Sequence, residues 1–223
     1  MPHIEIISCP VRAEYLWEDI PLLQAQARLP HWEGAGGKRF NHYYRGCERV
    51  FERWCSEDLF PRAQSLCRQA MAVAGTLPQW SAELRPAVTL QTAEIYSLYI
   101  DTIETAGPRR TVIRQGDIWD LRRGLPLSPQ DLFPPRSPWR RRLMDCAAQE
   151  IESRLERGEG VFREHWRRAL RSALHSRHFY LTENGLCFFC QMYTLSPSAA
   201  KIPTFCLPYD KEQGPFPFPP PET

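Results

Sequence analysis

The chain has 223 residues, 43% hydrophobic and 24% charged, with 28 basic side chains against 26 acidic ones. That length holds one large domain or two small ones, with enough buried surface for a real core. A formal net charge of +2 makes nucleic acid and anionic membranes poor default partners. The apolar runs are only a few residues long, so no membrane-spanning helix is expected. The 21 prolines argue against a long helical bundle. The excess of 25 arginines over 3 lysines carries little functional weight.

Residues 3–11 (HIEIISCPV) read as an opening strand that stops near Pro10. They carry Glu5 and follow no basic leader, so they do not read as a signal peptide, and a cytoplasmic product is expected. Residues 14–39 contain Pro21, Pro30, Gly34, Gly36 and Gly37, and are expected to be loop. Asn41 is a candidate N-cap, followed at helical spacing by Tyr44, Cys47, Phe51, Trp54 and Cys55. A kink is expected at Leu59-Phe60-Pro61, with the helix resuming through Ala63, Leu66, Cys67 and Ala70 to about Gly75. Arg45, Glu48, Arg49, Glu52 and Arg53 make its solvated face.

Residues 76–86 read as loop, and residues 87–104 as one long strand or two short ones. Gly107-Pro108 turns the chain into a second strand over 109–121, with a bulge expected at Gly116. A proline-rich loop over 122–137 contains LPLSPQDLFPP, in which Asp131 is expected to cap a short helical turn carrying Leu132 and Phe133 inward. Helices are expected over 138–157 and 161–176. Asn184-Gly185 then divides HFYLTENGLCFFCQMY into a hairpin. On its second strand Phe188 and Cys190 share one face while Cys187 and Phe189 share the other, so both faces are covered. A last strand is expected over 202–209, and a disordered proline-rich tail over 214–223. The segregation of helices and strands gives the class α+β, with a largely antiparallel sheet packed against helices in two intimately associated subdomains.

The eight cysteines lie in helical and strand-like patterns and are expected to be structural thiols; a disulfide and a metal site are lesser alternatives. Cys187-Phe-Phe-Cys190 has redox or zinc spacing, but on a strand its two sulfurs point to opposite faces. His175 and His178 follow the last helix, where a cation suits the macrodipole. Arg163, Arg167 and Arg171 form a row expected to be solvated. No G-x-S-x-G, H-E-x-x-H or phosphate-loop motif is present, so no enzyme, metal or cofactor is expected.

Three phrases carry a resemblance: Asp117-Ile118-Trp119-Asp120-Leu121, Leu127-Ser128-Pro129-Gln130-Asp131-Leu132-Phe133, and FYLTENGLCFFCQMYTLSPSAAKIPTFCLPY. Together they resemble the RsiV-like family of anti-sigma-factor ectodomains over roughly residues 95–209. The region ahead of them is similar in element order to the deacetylase-associated PdaC-type domain. The resemblance implies a PdaC-type subdomain over 1–104, an RsiV-like domain over 105–213, and a non-catalytic role. In that family the ectodomain binds lysozyme, and its loops occupy the enzyme's cleft. The residues that would then meet a ligand are Gly107, Arg109 and Arg110 in the hairpin, and Tyr193, Pro197 and Ser198 in the loop after the last hairpin. The implied partner is a protein or a cell-wall component, with no nucleic acid and no membrane. The family's glycine- and histidine-bearing hairpin loop is here Thr105-Ala106-Gly107-Pro108-Arg109-Arg110, and Ser198 stands where an aromatic is usual. The alternatives are an intracellular structural or regulatory interaction protein and a hydrolase of unrecognised type.

Overall fold

The computed structural model describes residues 2–72, 79–197, 202–210 and 215. The α+β class expected from the sequence is the one observed. It contains a mostly antiparallel seven-stranded sheet, a three-stranded sheet, and four α-helices among the described residues, the first two joined by a π turn. The chain folds as two compact units. One comprises residues 2–86 and 100–113, the other residues 87–99 and those from 114 onward.

In the first unit, β1 (Ile4–Ser8) and β2 (Glu14–Trp17) both pair antiparallel with the long β3 (Ile20–Trp32). β3 pairs in parallel with β4 (Trp80–Gln91) from Leu23 opposite Trp80 to Ala27 opposite Leu84. The loop expected over 14–39 is therefore mostly strand. Along β3, buried Leu23, Ala25, Ala27 and Leu29 alternate with exposed Gln24, Gln26 and Arg28, the period of a half-buried strand. Its prolines are tolerated for a geometric reason. The bonds from Cys9 N to the Ala27 carbonyl (2.9 Å) and from Glu33 N to the His3 carbonyl (3.0 Å) place hydrogen-bonded pairs at every second residue. Pro30 lies opposite Ile6, between two such pairs, so β1 loses no donor. Pro21 faces Leu16 just past the register shift between Tyr15 and Leu16.

The helical part of this unit runs through α1 (Lys38–Trp54), a π-type turn at Cys55–Leu59, and α2 (Phe60–Ala72). Phe51, Cys55, Leu59, Ala63 and Cys67 are all buried, each four residues from the last. At 3.6 residues per turn, a four-residue step drifts by about 40° around the axis. The wider π turn reverses part of that drift and keeps the buried stripe on one side. The same turn lies where Pro61 can supply no N–H, so the helix continues without a break. The helix starts before Asn41, which is not its N-cap. Asn41 instead accepts from the Trp32 amide and donates to the Trp32 carbonyl, both at 2.9 Å, and so ties α1 to the end of β3. Trp32 on Phe40 and Tyr15 on Phe60 complete the packing, with ring centroids 5.8 and 5.5 Å apart.

β4, β5 (Ile95–Ala106) and β6 (Arg109–Asp120) are sheet neighbours in that order, and each contributes residues to both units. β4 begins at Trp80, inside the loop expected over 76–86.

In the second unit, β7 (Leu125–Pro126) closes on the end of β6. A short turn of 3-10 helix, Pro129–Leu132, buries Leu132 and brings Phe133 onto Trp139, with centroids 5.4 Å apart. Its cap is Ser128 and not Asp131: the Asp131 carboxylate reaches back to accept from the Ser128 amide at 2.7 Å and from its hydroxyl at 2.6 Å. α3 (Trp139–Glu156) and α4 (Trp166–Ser172) follow. α4 is shorter than expected: it begins at Trp166, and the Arg163 amide ahead of it bonds the Leu195 carbonyl at 2.9 Å. The three-stranded sheet has the order β10 (Thr204–Pro208), β9 (Gly185–Phe189), β8 (Phe179–Thr182). All five residues of β9 are buried, as expected of a strand covered on both faces.

Ser97 on β5 is fully buried, and its hydroxyl oxygen accepts from the Leu181 amide of β8 at 2.8 Å. Ser97→Ala leaves that amide without its partner. A loss of about 1–3 kcal/mol in denaturant-measured stability is expected, whereas an unchanged midpoint would show that the bond is dispensable.

Candidate functional site

The turn between β5 and β6 has Gly107 at φ 56, in the left-handed region, and its amide bonds the Gln79 carbonyl at 3.1 Å. Glycine reaches that backbone conformation at little cost. The tip leaves Gly107, Pro108, Arg109 and Arg110 exposed. Arg110 adds its charge to those of Arg85 and Arg28 around Glu83. The hydrogen bond from Arg85 (2.8 Å) is the main reason that the Glu83 carboxyl sits below the usual range.

Arg109 lines a cavity of about 440 Å³ with Arg62, Ser65 and Leu66 of α2, Trp80 of β4, Glu104 and Ala106 of β5, and Thr111 of β6. One wall is fixed by a charge pair: Arg62 bonds Glu104 at 3.1 Å, reaches Asp58 at 3.2 Å, and lies over the Trp80 ring at 5.4 Å. Arg109 has no ion-pair partner among the described residues. The Trp80 indole N–H is buried and has no hydrogen-bond partner among the described residues. An unmet buried donor of that kind costs roughly 1–3 kcal/mol. The lining thus offers a guanidinium with no ion-pair partner among the described residues, and two hydroxyls, beside a carboxylate already engaged by Arg62. That arrangement suits holding the oxygens of a ligand.

The loop after β9 is pinned at several points. The Gln191 side chain accepts from the Arg114 amide at 3.0 Å and donates to the Arg114 carbonyl at 2.6 Å. Leu195 is fully buried. Arg163 donates from Nε to the Tyr193 carbonyl at 3.1 Å. Between these anchors Tyr193 has φ 64 and is 47% exposed. A bulky side chain in the left-handed region costs roughly 1–2 kcal/mol. The fold therefore holds this ring outward against a local penalty. Pro197 is exposed in the same loop, and Ser198 lies outside the described residues, as does the 214–223 tail apart from Pro215. Gly107, Arg109 and Arg110 thus gather at one tip, and Tyr193 and Pro197 in one loop.

Other candidates resolve into structure. Cys190 packs in the main core while Cys187 lies on the opposite face with Tyr180 and Phe189. His178 bonds the Ala173 carbonyl at 2.7 Å at the end of α4, but burial pushes its pKa below the ordinary value, which opposes the expected cationic form. Of the arginine row, Arg167 pairs with Glu152, and Arg163 lies outside α4. Among the described residues no group of three His, Cys, Asp or Glu is placed to hold a metal ion, and no helix is long and apolar enough to cross a membrane.

Arg62, Trp80 and Glu104 are not singled out by the sequence reading, in which Trp80 falls in the expected loop over 76–86. The alternation beginning at Trp80-Ser81-Ala82-Glu83-Leu84 was the available signal.

The family described as "Protein of unknown function (DUF3298)" matches residues 130–210, from the 3-10 turn through β10. A crystal structure of a DUF3298 family member from Bacteroides fragilis aligns with TM-score 0.64 at 14% identity, covering 93% of this chain and 90% of its own. A DUF3298 family protein from Pseudomonas aeruginosa aligns with TM-score 0.59 at 13% identity, covering 94% and 91%. The chain shares the fold of these DUF3298 proteins. No curated protein matches the sequence. The DUF3298-matched segment contains Tyr193 and Pro197 but not the hairpin tip or its cavity.

Proposed function

We propose that this chain is a non-catalytic binding module of the RsiV-like type, with a PdaC-type N-terminal part. Its hairpin tip takes an acidic group of a protein or cell-wall ligand. The observation that carries this reading is Arg109: a guanidinium with no ion-pair partner among the described residues, lining a cavity of about 440 Å³ with the Ser65 and Thr111 hydroxyls. Arginine holds a carboxylate through two parallel N–H bonds, which gives orientation as well as attraction. On the other unit, and as a contact in its own right, the outward Tyr193 ring is a rigid surface group of the kind that anchors protein interfaces. The resemblance over residues 95–209 supports the same class of role.

Titration calorimetry of the full chain against lysozyme and against soluble muropeptides tests the proposal. Binding to one of them is expected, with Arg109→Ala weakening it about tenfold, equivalent to ~1.4 kcal/mol. No heat with either ligand, or binding indifferent to Arg109→Ala, would overturn it.

A further inference from the structure

β9 and β10 place Cys187 directly opposite Cys206. The bond from Cys190 N to the Pro203 carbonyl, 3.0 Å, sets the alternation along these two strands. Counted in twos from there, Phe188–Phe205 and Leu186–Leu207 are hydrogen-bonded pairs, and Cys187–Cys206 is a non-hydrogen-bonded pair. Partners at such a site are the closer kind, with Cα atoms about 4.5 Å apart, within the roughly 4.4–6.8 Å that a disulfide spans. Side chains directly opposite at such a site stand on the same face of the sheet, so the two thiols lie side by side. Cys206 is exposed and Cys187 is buried behind it.

We propose that Cys187 and Cys206 are a reversible disulfide site, oxidised by a low-molecular-weight disulfide of the glutathione class. The Cys206 thiol gives up its proton and attacks one sulfur of the oxidant. A mixed disulfide forms on Cys206, and the departing thiolate takes up a proton. The Cys187 thiol, deprotonated in turn, attacks the Cys206 sulfur and expels the second small thiol. One oxidised glutathione and two protein thiols become one protein disulfide and two reduced glutathiones.

The surroundings support this order of attack. The adjoining Cys187 thiol holds the Cys206 pKa below the ordinary value, against the opposing effect of burial, which favours the thiolate on Cys206. The same pairing is the first cause pushing the Cys187 pKa up, which favours the protonated thiol there. The Thr182 hydroxyl lies 3.9 Å from the Cys187 sulfur. Burial pushes Cys55 and Cys190 up to about 12 and Cys9 up to about 11, which makes them poor nucleophiles. Cys146 is the nearby competitor. Its thiol donates to the Cys206 carbonyl at 3.4 Å, and burial raises its pKa.

The test uses the full chain, reduced and then incubated with oxidised glutathione at neutral pH. Thiol titration is expected to fall from eight to six, and peptide mapping under non-reducing conditions to join the peptides holding Cys187 and Cys206. Cys187→Ser is expected to stop at one glutathione carried on Cys206. Cys206→Ser, a change at an exposed position, is expected to give neither product. Eight thiols remaining in the wild type, a bond from Cys206 to Cys146, or no glutathione on Cys206 in the Cys187→Ser chain would each overturn the proposal.

Discussion

Gly116→Ala is expected to destabilise the second unit by about 3 kcal/mol or more, at the upper end of what overpacking does. A Cβ at this position would stand 1.9 Å from the Phe179 carbonyl oxygen and 2.7 Å from its carbon. Both are backbone atoms at the start of β8, so no rotamer change relieves the clash. β8 cannot step back either. The Gly116 amide bonds the Arg177 carbonyl at 2.8 Å, and the buried Phe179 ring is held 5.3 Å from Phe188 and 6.1 Å from Trp139. The glycine expected to mark a bulge is thus the place where β8 approaches β6 through the missing side chain. Urea unfolding followed by tryptophan fluorescence measures the effect. A loss below about 1 kcal/mol would mean that the strands separate freely there.

Phe188→Ala is the second large effect, at about 3–5 kcal/mol. The ring is fully buried in the middle strand of the small sheet, with Phe179 at 5.3 Å and Phe205 at 6.3 Å on either side. Removing it opens a cavity bounded by both neighbouring strands, and neither can collapse without breaking its register with β9. Phe188→Leu keeps most of the volume and is expected to lose less than half as much. If both substitutions cost the same in denaturant titration, the loss is not one of packing volume.

The sequence made the local features legible. Asn184-Gly185 marked the β8–β9 turn, the i+4 stripe marked the long helix, and the alternation in LCFFC marked a strand covered twice. It misled where proline chemistry was read without pairing geometry. Pro21 and Pro30 signalled loop, yet β3 carries both because neither position owes a donor to its neighbour. The helix through Pro61 is the same lesson, with a π turn absorbing the missing N–H. The cavity at the hairpin tip was legible only in Arg109. Arg62, Trp80 and Glu104 come from three elements far apart in sequence, and only the folded sheet brings them to one wall.

The alternation that pairs Cys187 with Cys206 also decides what β10 shows on its free side. The backbone groups of Thr204, Cys206 and Pro208 point away from β9, which makes β10 an open border to which another chain could add a strand. Pro208 has no N–H to offer there, and the Cys206 carbonyl is already taken by the Cys146 thiol of α3. The five-residue border is too short and too interrupted to template a growing sheet, so this edge of the small sheet is guarded against edge-to-edge aggregation.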